Sequence, residues 1–392
     1  MKILSVNAGS SSLKFTLFEM PEEKELINGV FERIGMDNSF YSIKLNGEKI
    51  KKEVSLKNHK IAFEILVQEL VDNKIIDALE DIKGVGHRVA QGGAYFAASV
   101  LATPENLKIV EDLAPLAPLH NPPALTGVKA AMETFKDVAQ TLVFDTSFHQ
   151  SIPKENYIYP IPYEWYTKYG VRRYGFHGTS HKYVYLRVNE LLGKNDTKVI
   201  TCHIGNGASI SAVKNGMCIN TSMGLTPNAG LMMGTRCGDI DATILTYMMK
   251  TTGMSADEVE NYLNKESGYL GVSGVSSDSR DIEVGIKNGD ERCILAQDMY
   301  INRIVDYIAR YYVELGGCDA IVFTAGIGEN ALNTRAQVIN KLSILGIKLD
   351  EVANNSRGKE VKITTDSSKI PVYVIPTNEE LMIASDTYTI IK

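Results

Sequence analysis

The pattern of hydrophobic and polar positions along the chain divides it into two kinds of segment. Short runs rich in Val and Ile are typical of buried strands, and they recur at 3–6, 84–89, 141–145, 198–203, 320–324 and 371–375. Between them, apolar residues at three- and four-residue spacing predict helices over 125–135, 240–251, 255–264 and 293–315. Strands that alternate with helices predict an α/β fold in which helices cover the sheets.

One strand–turn–strand pattern occurs twice. The segments "SVNAGSSSLKF" (5–15) and "KVITCHIGNGASISAV" (198–213) each run from an apolar strand through a polar Gly/Ser turn into a second strand. Gly9 and Gly205 lie 196 positions apart (205 − 9), half of the 392 residues, and the alignment sets His203 opposite Asn7 and Asn206 opposite Ser10. This repeat predicts a duplicated domain, with a chance likeness of two common turns as the alternative.

Length, charge and cysteine content narrow the classes of protein. A chain of 392 residues predicts two or three domains, and the Pro- and Tyr-rich stretch 152–165 predicts a boundary near residue 150. The net charge of −6 argues against a partner such as nucleic acid or an anionic membrane. No apolar run approaches the roughly 18 residues of a membrane span, and polar residues interrupt the first apolar run before it could serve as a signal peptide. Five cysteines without C-x-x-C spacing predict neither disulfides nor a zinc site, which favours the cytoplasm.

The Gly-rich turns point to phosphate binding. Without a Cβ, a glycine lets the backbone approach a ligand closely, and successive N–H groups then form a site for an anion. The serine hydroxyls of the first turn and Lys14 add donors for phosphate oxygens. A third turn, "VFTAGIGENA" (322–331), fits G-x-G-x-x-A and is followed by Asp350 near the spacing of a ribose-binding acid. A dinucleotide-dependent oxidoreductase is therefore an alternative.

Charged residues also follow several of the predicted strands. Arg88 lies in "GHRVAQGG", Asp145 in "VFDTSFHQ" and Arg236 in "GLMMGTRCGDID". Taken singly, Arg88 could form a surface ion pair, Asp145 could cap a turn, and Arg236 could pair with Asp239. Together with the turns they predict a phosphoryl-transfer site, in which cations hold two anions together.

Two smaller patterns favour structural roles. His177 and His181 in "RRYGFHGTSHKYV" have H-x-x-x-H spacing, but the glutamate of zinc proteases is absent and metal binding is not expected. Asp239 and Asp241 flank Ile240, near which a helix is predicted to begin, and we expect both to cap it.

Ten motifs in order resemble the acetate kinase family. They are "VNAGSSSLKF", "GHRVAQGG", "LAPLHNPP", "VFDTSFHQSIP", "RRYGFHGTSHKYV", "HIGNGASI", "TSMGLTPNAGLMMGTRCGDID", "SGVSSDSRD", "FTAGIGEN" and "PTNEE". The resemblance implies a two-domain, duplicated ribonuclease-H-like (actin-like ATPase) fold with the active site in the interdomain cleft. It implies an N-terminal domain at 1–150, with the C-terminal helix 381–392 packing back on it, and a nucleotide-binding domain at 151–380.

The resemblance also implies a reaction and its residues. The reaction is the reversible, Mg²⁺-dependent transfer of the ATP γ-phosphoryl group to acetate, with Mn²⁺ as a possible replacement, by a cytoplasmic homodimer that binds neither nucleic acid nor membrane. The implied catalytic residues are Arg88, His120, Asp145, His177 and Arg236, and Arg88 also holds the acetate carboxylate. The implied acetate methyl pocket comprises Ala90, Leu119, Phe176 and Pro227, and the metal-site residues are Asn7 and Glu379. The implied ATP-binding residues are Ser10, Ser12, Lys14, His203, Ile204, Gly205, Asn206, Gly207, Asp278, Ser279, Arg280, Gly326, Ile327, Gly328, Glu329 and Asn330.

The chain departs from the family pattern at a few positions. Ala90 and Gln91 replace the usual Val and His, Ser279 replaces an aromatic residue of the adenosine site, and Ala229 replaces an acid. The smaller Ala90 predicts use of propionate as well as acetate, and Ser279 predicts weaker stacking on adenine. A nucleotide-switched structural or chaperone protein of the same superfamily, without an acid substrate, is a second alternative.

Overall fold

The computed structural model describes residues 1–45 and 47–392. In chain order its strands are β1 (Lys2–Ala8), β2 (Ser12–Glu19), β3 (Lys24–Glu32), β4 (Phe40–Leu45), β5 (Glu48–Glu53), β6 (Ile82–Val89), β7 (Val100–Leu101), β8 (Ala139–Phe144), β9 (Lys198–Ile204), β10 (Ala208–Lys214), β11 (Met217–Thr221), β12 (Ala320–Thr324), β13 (Val361–Lys362) and β14 (Val372–Val374). The six strands predicted from the sequence correspond to β1, β6, β8, β9, β12 and β14, so all six are confirmed.

The helices lie between these strands. They are α1 (His59–Asp72), α2 (Pro104–Asp112), α3 (Asn121–Thr134), α4 (Lys154–Tyr157), α5 (Tyr163–Tyr169), α6 (Gly178–Leu192), α7 (Thr243–Thr252), α8 (Ala256–Lys265), α9 (Gly268–Ser273), α10 (Ser279–Lys287), α11 (Glu291–Leu315), α12 (Ala325–Asn330), α13 (Leu332–Lys341), α14 (Glu351–Asn354) and α15 (Glu379–Ile391). The four predicted helices correspond to α3, α7, α8 and α11. Within the described residues, none of the helices combines the length and apolar content needed to cross a membrane.

The chain forms two compact units. Unit 1 comprises Met1–Gln150 and Asn378–Lys392, and unit 2 comprises Ser151–Thr377. The sheet of unit 1 has the strand order β5-β4-β3-β2-β1-β6-β8-β7, in which β1, β6 and β8 are parallel and β1, β2 and β3 are antiparallel.

Helix α15 packs on β6, and a strand glycine makes the close approach possible. A Cβ on Gly86 would lie 2.3 Å from Thr387 Oγ1 and 2.6 Å from Ile383 Cγ2. Any side chain at this position would push the helix off the sheet, because interiors are close-packed. The contact joins the last residues of the chain to the first sheet and leaves the first turn of α15 near the carboxyl end of β6.

The sheet of unit 2 has the order β11-β10-β9-β12-β14-β13. Strands β9, β10 and β11 are antiparallel, and β9, β12 and β14 are parallel. Helix α11 buries one face against this sheet, and its Tyr300 packs on Tyr269 with ring centroids 4.5 Å apart.

The two sheets repeat one topology. The order β3-β2-β1-β6-β8 of unit 1 matches β11-β10-β9-β12-β14 of unit 2 in strand sequence and direction. The hairpins β1–β2 and β9–β10 occupy equivalent places, and Asn7 and His203 each lie one residue before the end of their strand. The duplicated α/β fold predicted from the repeat is therefore confirmed.

Candidate active site

Arg88 and Asp145 meet at one edge of the unit 1 sheet. Strands β6 and β8 are parallel and in register, with Val89 opposite Phe144, so their carboxyl ends lie side by side. Arg88 donates two hydrogen bonds to the carboxylate of Asp145, from Nε to Oδ1 (3.0 Å) and from Nη2 to Oδ2 (2.6 Å). The backbone N–H of Asp145 donates to Val89 O (3.0 Å), which fixes the residue after the strand. Arg88 therefore does form an ion pair, but its partner is a buried carboxylate on the neighbouring strand.

The charges of this pair support one another. The carboxylate of Asp145 raises the pKa of Arg88, so the guanidinium stays protonated. Burial raises the pKa of Asp145, although the charge of Arg88 opposes the rise. The side chain of Asp145 is 2% exposed and that of Arg88 is 28% exposed, so the guanidinium is the part of the pair that faces outward.

Further predicted residues of unit 1 lie near the pair. Glu379, the first residue of α15, raises the pKa of Arg88. His120, the N-cap residue of α3, lowers the pKa of Asp145 and so opposes the effect of burial. Lys14 forms an ion pair with Glu380, and Asn7 lies opposite Lys14 in the β1–β2 register. Unit 1 therefore brings the predicted acceptor and metal-site residues to one edge of its sheet.

The predicted methyl-pocket residues are divided between the units. Ala90 directly follows β6, and Leu119 in unit 1 is 73% exposed. In unit 2, Phe176 is buried in the main core, and the carbonyl of Pro227 accepts from Arg236 Nη1 (3.1 Å). Their common role as a pocket remains a prediction.

In unit 2, Arg236 and His177 face the turn of the β9–β10 hairpin. A Cβ on Gly207 would lie 3.3 Å from Arg236 Nη1 and 3.7 Å from His177 Nε2. The loop that carries Arg236 is held to the same turn, because Gly234 N donates to Asn206 O (3.1 Å). The glycine at 207 thus leaves open a space that a guanidinium and an imidazole border.

Arg236 is a half-buried cation that no carboxylate of the described residues neutralises. Among the described residues no carboxylate pairs with it, and its hydrogen bond to Pro227 O engages a neutral acceptor. Burial lowers its pKa, which is the cost of desolvating a charge that nothing compensates. The predicted alternative partner, Asp239, instead accepts from Gly230 N (2.8 Å) and from the hydroxyl of Tyr307.

Three histidines in unit 2 are held by hydroxyl groups. The His177 Nδ1 and His181 Nε2 atoms each lie 2.8 Å from Ser209 Oγ, and His203 Nδ1 lies 2.8 Å from Ser180 Oγ. The rings of His177 and His203 stack with centroids 4.0 Å apart. His177 itself has a left-handed backbone (φ 59°), a strained conformation that the N-terminus of α6 holds in place. His177 and His181 thus both direct a ring nitrogen at one serine, and the expectation that they bind no metal stays a prediction.

A cavity of about 620 Å³ in unit 2 collects much of the predicted nucleotide site. Its lining includes the predicted residues Asn206, Asp278, Ser279, Arg280, Gly326, Ile327 and Asn330, together with Ser277, Glu283, Ala331 and Arg357. Arg280 pairs with Asp278 through both carboxylate oxygens and lowers the pKa of Asp278 to about 2.

Other predicted ATP-binding residues have local structural partners. Glu329 accepts from the backbone N–H groups of Ala325 (2.8 Å) and Thr377 (3.2 Å), which fixes the start of α12. Gly328 packs on Ile204, and Ser12 Oγ lies close to the position that a Cβ on Gly9 would take. Ser10 lies in the β1–β2 turn, and Gly205 N donates to Gly207 O (3.1 Å) across the second turn.

Two sequence interpretations are corrected by the geometry. Helix α7 begins at Thr243, and Asp241 accepts from its N–H (2.8 Å), but Asp239 does not cap this helix because both of its oxygens are engaged elsewhere. Asp350 accepts from Val352 N and Ala353 N (both 3.0 Å) as the N-cap of α14. It is therefore not the ribose-binding acid of a dinucleotide site. The dinucleotide-dependent oxidoreductase is then supported by the G-x-G-x-x-A turn alone.

Sequence reasoning missed the residues that hold the site in shape. These residues are Ser209, which contacts His177, Ser180, which contacts His203, and Arg335, which donates to Gly328 O. A fourth, Arg357, lines the cavity. One signal was available, since Ser209 and Ser211 alternate with apolar residues in β10, and both are fully buried. Such residues occur inside a sheet when a partner needs their hydroxyl group.

The arrangement of the two sheets defines the class of protein. Duplicated sheets of this order, with a Gly-rich hairpin at the equivalent place in each, are the actin-like ATPase fold. The family model of the acetokinase family matches residues 2–385. The chain therefore belongs to the acetokinase family.

Individual relatives agree with the family assignment. The chain is 51% identical to the acetate kinase of Geobacillus sp. (strain WCH70) over 387 residues, which cover 98% of each protein. Among solved structures it is similar to Porphyromonas gingivalis acetate kinase (49% identity, TM-score 0.95) and to a propionate kinase from Francisella tularensis (42% identity, TM-score 0.93), with 100% of each chain covered.

Proposed function

We propose that this protein transfers the γ-phosphoryl group of ATP reversibly to acetate, giving acetyl phosphate and ADP. The observation that carries the proposal is Arg236, a half-buried guanidinium for which the described residues supply no carboxylate. It lies with His177 beside the backbone of the turn at Gly207, and a phosphoryl group is an anion whose charge this cation would compensate. Family membership gives the same function.

Arg88 is proposed to hold the acceptor carboxylate. Asp145 engages its Nε and Nη2, and no hydrogen bond with the described residues engages Nη1. A guanidinium oriented in this way presents its remaining donors to a second anion, for which its planar shape is better suited than a lysine. Asp145 is then a positioning group, and acetate, already an anion, needs no base.

The transfer step follows from these roles. An acetate oxygen attacks the γ-phosphorus, its bond to that phosphorus forms as the bridging P–O bond breaks, and the electron pair leaves on the β-phosphate oxygen of ADP. No proton needs to move. Arg236 and His177 stabilise the charge on the transferring group, His120 supports the acceptor side, and the cavity near Asp278 and Gly326 holds the adenosine.

A magnesium ion fits the oxygen donors that unit 1 provides. Mg²⁺ is usually bound through one or two carboxylates together with substrate phosphates and water. The carboxylate of Glu379 and the side-chain amide of Asn7 would supply protein ligands to Mg²⁺, or to Mn²⁺ in its place. The described residues contain no cluster of three or more His, Cys, Asp or Glu that would bind a metal alone, in keeping with a metal that arrives with the nucleotide. The ion would neutralise phosphate charge.

The proposal extends to a homodimer in the cytoplasm, as the family resemblance implies. All five cysteines are free thiols, as is usual for proteins of reducing compartments. Sedimentation equilibrium of the purified protein tests the dimer. A single species of 43.2 kDa would contradict it.

A hydroxamate assay with ATP, Mg²⁺ and a panel of short carboxylates tests the reaction. We expect acyl phosphate to form with acetate as the main substrate and to depend on both ATP and the acid. ATP hydrolysis that no carboxylate stimulates would instead favour the nucleotide-switched structural protein. A nicotinamide absorbance change with a hydroxy acid would favour the oxidoreductase.

Propionate is proposed as a second substrate because of Ala90. If Ala90 lines the methyl pocket, its small side chain leaves room for one more methylene, which is worth about 10–200-fold in kcat/KM in a hydrophobic pocket. We expect Ala90→Val to shift the acetate-to-propionate ratio of kcat/KM toward acetate. An unchanged ratio would remove Ala90 from the pocket.

A further inference from the structure

The nucleotide cavity of unit 2 has an unusual lining for a purine. None of the described residues that line it is aromatic, and Ser279 in this lining carries no ring. Purine bases bind to proteins largely by stacking on flat groups, either aromatic rings or the guanidinium plane of arginine. The planar cationic groups in this lining are those of Arg280 and Arg357.

The two arginines differ in how they are occupied. Arg280 directs Nε and Nη2 at the carboxylate of Asp278, at 2.5–3.1 Å, so that carboxylate offsets its charge and weakens its attraction for the face of a ring. Arg357 makes one hydrogen bond, from Nη1 to Asn330 O (2.7 Å), and no carboxylate among the described residues pairs with it. Its guanidinium is thus anchored at one nitrogen, and its plane is available to a ligand.

The backbone that carries Arg357 is fixed by a buried neighbour. Arg335 is fully buried and donates to Gly328 O (3.0 Å), to Asn354 Oδ1 (2.8 Å) and O (2.7 Å), and to Ser356 O (2.9 Å). These bonds tie the segment 354–356 to α12, which forms another part of the cavity wall. The side chain of Arg357 therefore extends from a segment whose backbone is held by hydrogen bonds.

We propose that the guanidinium of Arg357 contacts the purine base of the bound nucleotide and supplies the flat surface that Ser279 does not. The inference rests on the proposed function only in taking an adenosine nucleotide as the ligand. It makes Arg357 a residue that sets affinity for the nucleoside, and it assigns Arg357 no part in the transfer step.

Binding measurements with three ligands separate a base contact from a phosphate contact. The dissociation constants of adenosine, ADP and ATP are measured by calorimetry for the natural protein, Arg357→Met and Arg357→Lys. We expect Arg357→Met to weaken all three ligands by a similar factor, about 3- to 20-fold, because the base is common to them. Lysine keeps the charge but not the plane, and we expect it to restore less than half of the lost free energy.

Lys359→Met is the matched control. It removes the same charge two residues away, at an exposed side chain outside the cavity lining, and we expect unchanged binding. In steady-state assays Arg357→Met should raise KM for ATP by the same factor and leave kcat within about twofold.

The outcomes distinguish this inference from the proposed function. A loss that grows from adenosine to ATP, full rescue by lysine, or binding equal to that of the natural protein would each overturn the base contact. Such results, in a protein that still makes acetyl phosphate, leave the proposed function intact. Conversely, a protein that binds adenosine through Arg357 but makes no acyl phosphate would retain the inference and lose the function.

Discussion

The β1–β2 and β9–β10 hairpins occupy the same place in two sheets of the same order, yet they are built differently. In the first, Ala8 pairs with Leu13, so four residues close the turn, whereas Ile204 pairs with Ala208 and three residues close the second. The first turn carries serine hydroxyls and the second carries glycines. A duplicated scaffold has therefore kept its strands and changed its turns, which are the parts that we propose to bind a ligand.

The charges beside the two hairpins differ more than the turns do. In unit 1 the cations are paired, Lys14 with Glu380 and Arg88 with Asp145. In unit 2, Arg236 has no carboxylate partner among the described residues. A partly neutralised site suits a small, singly charged acid, and an uncompensated cation suits a polyphosphate. We therefore propose that unit 1 provides the acceptor side and unit 2 the donor side.

The largest expected effect is on the rate of transfer. We expect Arg236→Ala to lower kcat by about 10³–10⁵-fold, the range for arginines that stabilise phosphoryl-transfer charge, and Arg88→Ala to lower kcat/KM for acetate comparably. Initial rates in the hydroxamate assay measure both. Arg303→Ala, at an exposed arginine of α11, is the control and should keep its activity. A loss below about tenfold in either variant would remove that arginine from its proposed role.

The same two substitutions should differ in their effect on the free energy of unfolding. Arg88→Ala leaves the buried carboxylate of Asp145 without its cation, and breaking such a pair costs about 3 kcal/mol. Arg236→Ala removes a desolvated charge that no carboxylate compensates, so we expect no loss of stability. Hydrogen exchange followed by mass spectrometry reads β8 and β9 separately and so reports on each unit.

A double variant serves as the control for this second prediction. Arg88→Ala with Asp145→Asn removes both charges, and we expect it to recover part of the stability that Arg88→Ala loses. Equal destabilisation of the two units by the single variants would show that the charge difference between them has no energetic meaning.

The sequence predicted the fold well because the fold depends on periodic patterns. Runs of Val and Ile identified the central strands, and the Gly9–Gly205 repeat identified the duplication. Helix starts were less accurate, since helix α3 begins at Asn121, four residues before the predicted start, and helix α7 begins at Thr243 instead of near 240. Neither helix has a side-chain hydrogen bond from its N-cap residue, so no capping signal marked these starts in the sequence.

The site was predictable only in part, for a physical reason. Residues that we propose to meet a ligand, such as Arg88 and Arg236, stand out as charges beside strands and glycines. Residues that hold other parts of the site, such as Ser209 and Arg335, act through contacts between distant segments, and a single sequence does not display those contacts. Asp239 was predicted to cap a helix locally. Its carboxylate instead accepts hydrogen bonds from the distant donors Gly230 and Tyr307.

A third prediction concerns acid sensitivity in unit 1. His87 is buried in β6 and donates from Nε2 to Gln140 Oε1 (2.8 Å), and burial lowers its pKa to about 4 from the usual 6.5. The unfolded chain therefore binds this proton between pH 6.5 and 4 while the folded chain does not, so stability falls as pH falls through this range, by at most about 3 kcal/mol. Hydrogen exchange of β6 at pH 7 and 4.5 measures the loss.

His87→Gln provides the comparison for this third prediction. Without a group that titrates, its stability should change less between pH 7 and 4.5 than that of the natural protein, whatever its stability at pH 7. Parallel pH curves for the two proteins would contradict the assignment to His87.

The smallest expected effect returns to the two hairpins. In Gly207→Ala the new methyl would lie 3.3 Å from Arg236 Nη1 and 3.7 Å from His177 Nε2, tight enough to displace the guanidinium slightly without disturbing the core. Misplacement by about 1 Å can cost 10²-fold in rate, and we expect a loss of about 10- to 100-fold in kcat with little change in stability. In Gly9→Ala the methyl would meet the Ser12 hydroxyl at 2.7 Å, which can rotate away, so we expect a loss below about tenfold. Equal losses in the two variants would mean that the first turn holds the transferring group as closely as the second, and the assignment of donor and acceptor sides would be wrong.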